Sequence, residues 1–290
     1  MRNRRPSELL RYGLLSLPLL FVCCFLLVPV CLTFVISFWE RRGFSLRPAF
    51  SFAAYVTFFS GIRLEVLQIS LLLAIIVMLL GLLLAYPVSY FLANRVGSRA
   101  SQTWLFLLSV PFVINPVIRN FALAYILGRS GPVNQMVLIL GLAGRPLDWL
   151  LFSNFAVVLG LVLSYMPFMI YPLWLSLASI DRRLIEASWM LGVPPGQTFR
   201  NVTLPLSLPG IFAAAIFGFV GTFGESTVPI ILGGLGYQLM GNTITSALDA
   251  LNYPLAAAMS SVVTVSMVAF LLLWYWLFDI RAFMGKIVQG

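Results

Sequence analysis

Six stretches of this chain are each long and apolar enough to cross a membrane as an α-helix. A helix needs about 20 mostly apolar residues to span roughly 30 Å of hydrocarbon. The stretches lie near residues 13–38, 66–92, 104–127, 150–177, 208–232 and 255–279. Only 9% of the 290 residues are charged, against about 25% in soluble domains. The sequence therefore predicts an all-α membrane protein of six transmembrane helices, with residues 1–290 forming a single transmembrane domain.

The distribution of basic residues predicts the orientation of these helices. Six spans place both termini on one side of the membrane. The segments on that side carry about twice as many Lys and Arg residues as the opposite loops, which favours a cytoplasmic location for both termini. These segments are 1–12, 93–103, 178–207 and 280–290. The net charge of +9 is spread over short loops without a basic helix, so the sequence does not predict nucleic-acid binding.

The chain lacks the residues that several kinds of chemistry require. It has no His, and its three Cys residues all fall in the first apolar stretch. Neither a metal site nor a Cys/His nucleophile is therefore predicted. There is no G-x-x-x-x-G-K-[ST] phosphate loop, and the only lysine is Lys286, so ATP binding by a P-loop is excluded. We predict no enzyme activity and no cofactor in this chain.

Prolines and glycines are frequent within the predicted spans. The prolines are Pro87, Pro111, Pro116, Pro167, Pro172 and Pro229, and the fifth span carries Gly218, Gly221 and Gly224. Broken helices are tolerated at membrane depth where protein or a water-filled cavity satisfies the freed backbone groups. Small residues also let helices approach closely. At this point, a role in helix packing and a role in lining a cavity both remain open.

The loop at 178–207 has the pattern of two short helices. Apolar residues recur at helical spacing at Ile180, Leu184, Ala187 and Leu191. Asp181 and Ser179 are candidate N-caps, and Gly192 can end the helix in a left-handed conformation. Pro194–Pro195 fits the first turn of a second short helix. Such a pair of helices between two spans has a shape suited to docking in a cleft of a soluble protein.

The same loop carries a recognisable run of residues. Its members are Glu186, Ala187, Ser188, Gly192, Val202, Leu204 and Pro205. The run resembles the EAA loop of binding-protein-dependent ABC importer permeases, whose pattern is Glu-Ala-Ala, three residues, Gly, nine residues and Ile-x-Leu-Pro. Ser188 replaces the second alanine and Val202 the isoleucine, and both replacements are conservative in size. The resemblance implies a type I importer permease fold in which this cytoplasmic loop, between the fourth and fifth helices, is a coupling helix in a groove of an ATPase.

Three other stretches resemble the spermidine/putrescine-type permeases. They read SLLLAIIVMLLGLLLAYPVSYFLA in the second span, VPFVINPVIRNFALAYIL in the third, and GNTITSALDALNYPLAAAMS before the sixth. The likeness runs from about residue 14 to 280 and is greatest to the first of that system's two permease subunits. It implies a bacterial inner-membrane protein with a polyamine or related amine as cargo. Iron(III), opine, amino-acid and sulfate importers share the architecture and remain alternatives.

The resemblance also implies partners for this chain. A second permease, either a homologous or an identical chain, would enclose the pathway together with it. A pair of ATP-binding subunits would bind ATP and Mg²⁺ beneath, and an extracytoplasmic solute-binding protein would deliver the cargo, all within membrane lipid. An ion-gradient-driven transporter or channel is the alternative from another class. Such proteins usually show internal repeats and intramembrane acidic relays, which are not apparent in this sequence.

Glu225 and Arg119 are the charged residues predicted to lie deepest within spans. At 1.5 Å per residue, Glu225 lies roughly 24 Å along the fifth helix and Arg119 roughly 22 Å along the third. An ionised side chain at such depth needs a partner or a watery cavity. Two hypotheses follow: a structural ion pair between them, or a Glu225 that faces the pathway and attracts a cationic cargo, with Asn115 as a polar neighbour. The two hypotheses are compatible.

Overall fold

The computed structural model describes residue 16 and residues 18–43 and 45–277, and this part of the chain is mostly helical. The helices before the loop at 178–207 are α1 (Pro18–Ile36), α2 (Ala53–Phe59), α3 (Arg63–Asn94), α4 (Ser98–Val113), α5 (Pro116–Leu127), α6 (Pro132–Ile139) and α7 (Asn154–Ala178). Those that follow are α8 (Arg182–Met190), α9 (Pro195–Thr198), α10 (Leu204–Leu206), α11 (Leu208–Phe223), α12 (Thr227–Leu232), α13 (Met240–Asp249) and α14 (Tyr253–Leu277). Strands β1 (Glu40–Arg42) and β2 (Ser45–Arg47) form an antiparallel hairpin that pairs Glu40 with Arg47.

Four of the described helices are long and apolar enough to cross a membrane, namely α1, α3, α7 and α14. Two bent pairs raise the number to as many as six. Ser98–Val113 meets Pro116–Ile139 at 92°, and Pro195–Leu206 meets Leu208–Phe223 at 64°. The structure thus confirms a multi-span helical protein. The count of six stays a prediction, because it depends on taking each bent pair as one span.

By packing, the described residues divide into two compact units. The first contains residues up to 64 together with 244–265, and the second contains 65–243 together with 266–277. Within the first unit, the rings of Phe38, Phe50, Phe52 and Tyr55 cluster together. The Tyr55 hydroxyl also shares a 2.8 Å hydrogen bond with the hydroxyl of Ser37. The single domain predicted over 1–290 stays a prediction.

The core of the second unit lies where α3, α7 and α11 pack together. Buried residues on α3 recur every three or four positions, as expected for one buried face of a helix: Val66, Ser70, Leu73, Ala74, Val77, Gly81, Ala85 and Ser89. Met169 of α7 is at the centre, since a Cβ added to Gly81 or Gly218 would meet its side chain. Outward-facing residues of α3, such as Leu72, Leu79 and Leu83, are exposed, as expected for a helix surrounded by lipid.

Two predicted spans are interrupted, and the first interruption has a local cause. The third span breaks at Asn115, which caps α5 while Pro116 occupies the first helical position. The fifth span ends at Phe223 and resumes as α12 at Thr227. Glu225 therefore lies in a break between two helices, and its predicted place inside one continuous helix is wrong. The predictions for the chain before residue 16 and beyond 277 lie outside the described residues.

Candidate functional site: the coupling loop and the break at Glu225

The loop at 178–207 forms the two short helices that its sequence predicts. The Asp181 carboxylate accepts a 2.9 Å hydrogen bond from the backbone N–H of Arg183, so Asp181 is the N-cap of α8. Ser179, the other candidate, instead caps the C-terminus of α7. Gly192 adopts a φ of +77°, a left-handed conformation that favours glycine. Pro195 then opens α9, which continues through a π-helical turn, Phe199–Thr203, into α10.

Ser188 joins the two helices of this loop. Its hydroxyl lies 2.9 Å from the hydroxyl of Thr198, which is buried on the second helix. The Thr198 hydroxyl also donates a 3.3 Å hydrogen bond to the carbonyl oxygen of Pro194. Ser188 stands where the EAA pattern has an alanine, so this side chain adds a polar link that alanine cannot make.

At the end of the first of these helices, large apolar side chains are exposed. Met190 is 89% exposed and Leu191 83% exposed, and Trp189 is also exposed. The Glu186 carboxylate forms no hydrogen bond or ion pair with the part of the chain that the structure describes. Glu186 and Trp189 line a cavity of about 690 Å³. Exposed apolar side chains beside an unpaired carboxylate are typical of a surface that binds another protein.

At the break between α11 and α12, Glu225 is held by its own chain. Its Oε2 accepts a 2.6 Å hydrogen bond from the Tyr165 hydroxyl of α7. Its Oε1 accepts from the backbone N–H groups of Ser226 and Thr227, at 3.1 and 2.7 Å. The side chain is half-buried. The carboxylate thus satisfies amide groups at the start of α12 that would otherwise lack partners.

Arg119 contacts the same region of α7 without pairing directly with Glu225. Its Nη2 donates a 3.0 Å hydrogen bond to the Ser164 hydroxyl, next to Tyr165. Its Nη1 donates to the Pro111 carbonyl at 3.4 Å, and its guanidinium carbon lies 5.4 Å from the centre of the Phe112 ring. The ion pairs among the described residues are Arg42–Glu40 and Arg129–Asp148. The hypothesis of a direct Arg119–Glu225 ion pair is therefore wrong.

Asn115 is fixed by its place at the break in the third span. Its side-chain oxygen accepts a 2.8 Å hydrogen bond from the backbone N–H of Val117, and the residue is exposed. No described hydrogen bond joins it to Glu225. The structure therefore shows Asn115 as a helix cap, and its role beside the pathway stays a prediction.

The glycines of α11 allow this helix to lie close against α7. A Cβ at Gly221 would meet the Tyr165 ring, and one at Gly218 would lie 3.0 Å from Met169. At Gly224 the nearest atoms would be in ordinary contact, at 3.6 Å or more. Within the described chain, Gly218 and Gly221 thus serve helix packing, whereas Gly224 follows the end of α11 without such a close contact. Gly221 leaves the space that Tyr165 needs to reach Glu225.

Sequence reasoning missed three residues at these sites, namely Tyr165, Ser164 and Thr198. Tyr165 and Ser164 are adjacent polar residues near the middle of a largely apolar span, and this was a usable signal. Buried hydroxyls need partners, and charged residues in spans need them too, so each group could have been marked as needing a partner, although their pairing depends on how α7 packs against α11. Thr198 gave no such signal, because its partner Ser188 lies on a different helix.

Comparison with known proteins identifies the family. Residues 78–282 match the model of a protein family described as "Binding-protein-dependent transport system inner membrane component". The chain belongs to this family. As a member of the binding-protein-dependent inner membrane components, it is a multi-pass permease of an ABC importer, and the predicted family is confirmed.

Relatives within this family are similar over most of the chain. The spermidine/putrescine transport system permease protein PotB of Escherichia coli (strain K12) is 34% identical over 254 residues, covering 87% of this chain and 91% of that protein. PotB of Haemophilus influenzae is 32% identical over 253 residues, covering 87% and 88%. The molybdenum transport system permease protein ModB of Azotobacter vinelandii is 32% identical over 171 residues, covering 59% and 73%.

A solved structure supports the fold. The bacterial alginate ABC transporter, in complex with an alginate pentasaccharide-bound periplasmic protein, matches with a TM-score of 0.72. The match covers 92% of this chain and 93% of that chain, at 17% identity. It shows that this binding-protein-dependent component has the fold of an ABC importer permease.

Proposed function

We propose that this chain is one of two permease subunits of an ATP-driven polyamine importer. Each permease contributes six spans, counting both bent pairs, and the termini of this chain lie in the cytoplasm. The second permease is homologous and non-identical. A dimer of ATP-binding subunits, which hold ATP and Mg²⁺, docks on the loop at 178–207. An extracytoplasmic binding protein delivers spermidine or putrescine.

The observation that carries this proposal is the exposed surface of the coupling loop. Glu186 has no partner in the described chain, while Met190 and Leu191 are almost fully exposed. Asp181 and Gly192 fix the two ends of α8, so the surface is held in one shape before a partner binds. A preformed surface lowers the entropic cost of association, which suits a contact that transmits ATP-driven motion. Ala187, Ser188, Leu204 and Pro205 complete the proposed coupling segment.

The polyamine cargo rests on the relatives and on Glu225. The PotB proteins are named for spermidine/putrescine transport. A carboxylate can accept about four hydrogen bonds, and Glu225 uses three of them within the chain. One position is left for an ammonium group passing the break. Asn115 and Arg119 lie at the neighbouring break and complete the proposed pathway residues.

The test is transport by the assembled importer in lipid vesicles. We expect uptake of labelled putrescine or spermidine that requires ATP, the ATP-binding subunits and the loaded binding protein. Uptake without ATP would indicate the gradient-driven alternative and contradict the proposal. Glu225→Gln should lower polyamine uptake, and adding Arg119→Gln should not restore it. Unchanged uptake by Glu225→Gln would remove Glu225 from the pathway.

Coupling is tested separately by co-purification of the ATP-binding subunit. Glu186→Ala should weaken co-purification and uptake together, because it removes the charged group of the docking surface. Glu65→Ala is the matched control. Glu65 is an exposed acid in the first turn of the 32-residue helix α3, at the end of that helix far from the loop. At 1.5 Å per residue, this helix separates its two ends by almost 50 Å. Normal co-purification by Glu186→Ala would contradict the docking role.

A further inference from the structure

A second, smaller cavity lies where α3 ends, α4 begins and α7 leads into α8. Its volume is about 230 Å³, and polar groups form much of its lining. Asn94, Ser98, Ser101, Trp174 and Arg182 are among the residues that surround it. All of them belong to the second unit. The cavity shares Asn94 and Arg182 with the larger cavity beside the coupling loop.

The first turn of α4 faces this cavity without a side-chain cap. Gly97 precedes the helix and has no side chain to accept from the first amide groups, and no side chain in the described part of the chain caps them. The α4 helix has 16 residues, so the partial positive charge of its N-terminus is fully developed. Uncapped amide groups at such an end form a binding site for anions.

Ser101 gives an independent indication that this cavity takes a ligand. Its side chain is 2% exposed, and its hydroxyl has no hydrogen-bond partner within the described chain. A buried hydroxyl without a partner costs about 1–3 kcal/mol, so such groups are rare and call for an explanation. A ligand oxygen in the cavity would satisfy it.

Arg182 supplies positive charge to this cavity. Its guanidinium forms no hydrogen bond or ion pair with residues 18–43 or 45–277. Arg95 lines the adjoining cavity and is likewise unpaired, while Glu186 is the acidic group on that side. Guanidinium groups match phosphate in geometry and bind it through two parallel hydrogen bonds. A volume of 230 Å³ is several times the roughly 30 Å³ share of one water molecule, and so suits a phosphate group rather than a larger cargo.

We propose that this cavity binds an anionic phosphate group, held by Arg182, the Ser101 hydroxyl and the first amide groups of α4. The cavity lies between the ends of two spans, beside Trp174, and tryptophan is typical of the membrane interface. Basic pockets at such positions bind lipid headgroups. The phosphate therefore comes from an anionic phospholipid or from free phosphate in solution. Neither the coupling role nor the polyamine cargo enters this inference.

The test uses the full chain purified with its partner subunits in detergent. Phosphatidylglycerol, phosphatidylcholine and inorganic phosphate are the probes. Native mass spectrometry counts the retained lipids, and thermal unfolding reports on inorganic phosphate. We expect the unaltered chain to retain phosphatidylglycerol in preference to phosphatidylcholine, and Arg182→Gln to bind it about tenfold more weakly. If inorganic phosphate displaces the lipid and itself raises the unfolding temperature, free phosphate is the source.

Two further variants separate binding from structure. Ser101→Ala should weaken phosphatidylglycerol binding severalfold, yet leave the probe-free protein equally or more stable, because an unsatisfied buried hydroxyl is removed. Arg183→Gln is the matched control, since Arg183 is the next residue on α8 and does not line the cavity. Equal retention of the two lipids, unchanged binding by Arg182→Gln and Ser101→Ala, or an equal loss in Arg183→Gln would each overturn the proposal.

Discussion

The coupling loop (residues 178–207) connects two long helices and the break at Glu225 interrupts a predicted span, and the charged residues of the two regions differ in their contacts. In the loop, Glu186 has no partner in the described chain, and large apolar side chains nearby are exposed. At the break, Glu225 accepts three hydrogen bonds, and Arg119 is held by Ser164 and by backbone. The difference supports the proposal that the loop binds another protein, whereas the break is stabilised by the chain itself.

The largest expected effect is on the stability of the break. Glu225→Ala removes the acceptor of three hydrogen bonds and leaves their donors unsatisfied. Hydrogen bonds to charged groups contribute about 1.5–3 kcal/mol each, and bonds that share one acceptor are not additive, so we expect a loss of at least about 3 kcal/mol in the free energy of unfolding. Chemical unfolding of the purified protein measures it.

Tyr165→Phe is the control for this prediction. It removes one of the three donors and should cost about half as much. The double variant should cost less than the sum, because the two side chains form one interaction. Unchanged stability in Glu225→Ala would contradict the comparison, because Glu225 would then gain no more stability from its own chain than Glu186 does.

The next effect concerns the close packing of α11 against α7, which lets Tyr165 reach Glu225. Gly221→Ala places a methyl group against the Tyr165 ring, and overpacking of this kind costs about 1–3 kcal/mol. Gly224→Ala is the matched control, because its methyl group would meet only ordinary contacts at 3.6 and 3.9 Å. Thermal unfolding of both variants checks the prediction. Equal unfolding temperatures would show that α11 and α7 do not need this close approach.

The sequence predicted the coupling loop far better than the break. In the loop, each local signal acts alone: Asp181 caps, Gly192 turns and Pro195 starts a helix, so short-range rules suffice. At the break, hydropathy is averaged over a whole span. Two or three non-helical residues within that span are therefore not detected. Asn115-Pro116 was readable as an interruption. The contact between Tyr165 and Glu225 was not, because it depends on how α7 packs against α11.

A smaller effect is expected at the turn of the coupling loop. Gly192→Val forces a β-branched residue into a left-handed conformation, which costs about 1–2 kcal/mol, while the space around its Cβ is open. ATP-dependent uptake should therefore fall while the unfolding temperature of the membrane spans is unchanged. Gly196→Val is the control, because Gly196 has equally open space and no positive φ. Equal uptake by the two variants would show that the turn does not matter for coupling.

The smallest effect is expected for Ser188→Ala, which restores the alanine of the EAA pattern. It removes the hydrogen bond to Thr198, with a net contribution of about 1 kcal/mol. We expect faster hydrogen exchange in the amides of α9 and α10, with co-purification of the ATP-binding subunit retained. Loss of co-purification would mean that the Ser188 hydroxyl contacts the partner rather than the chain.

The most direct test of the account is a cross-link from the coupling loop. A photoreactive amino acid is placed at Met190, which is 89% exposed on α8, and the assembled importer is illuminated in vesicles. The control position is Phe121, which is 60% exposed on α5. We expect the Met190 position to form an adduct with the ATP-binding subunit and the Phe121 position to form none with it. An adduct of equal yield from both positions, or none from Met190, would contradict the claim that this loop docks on the ATPase.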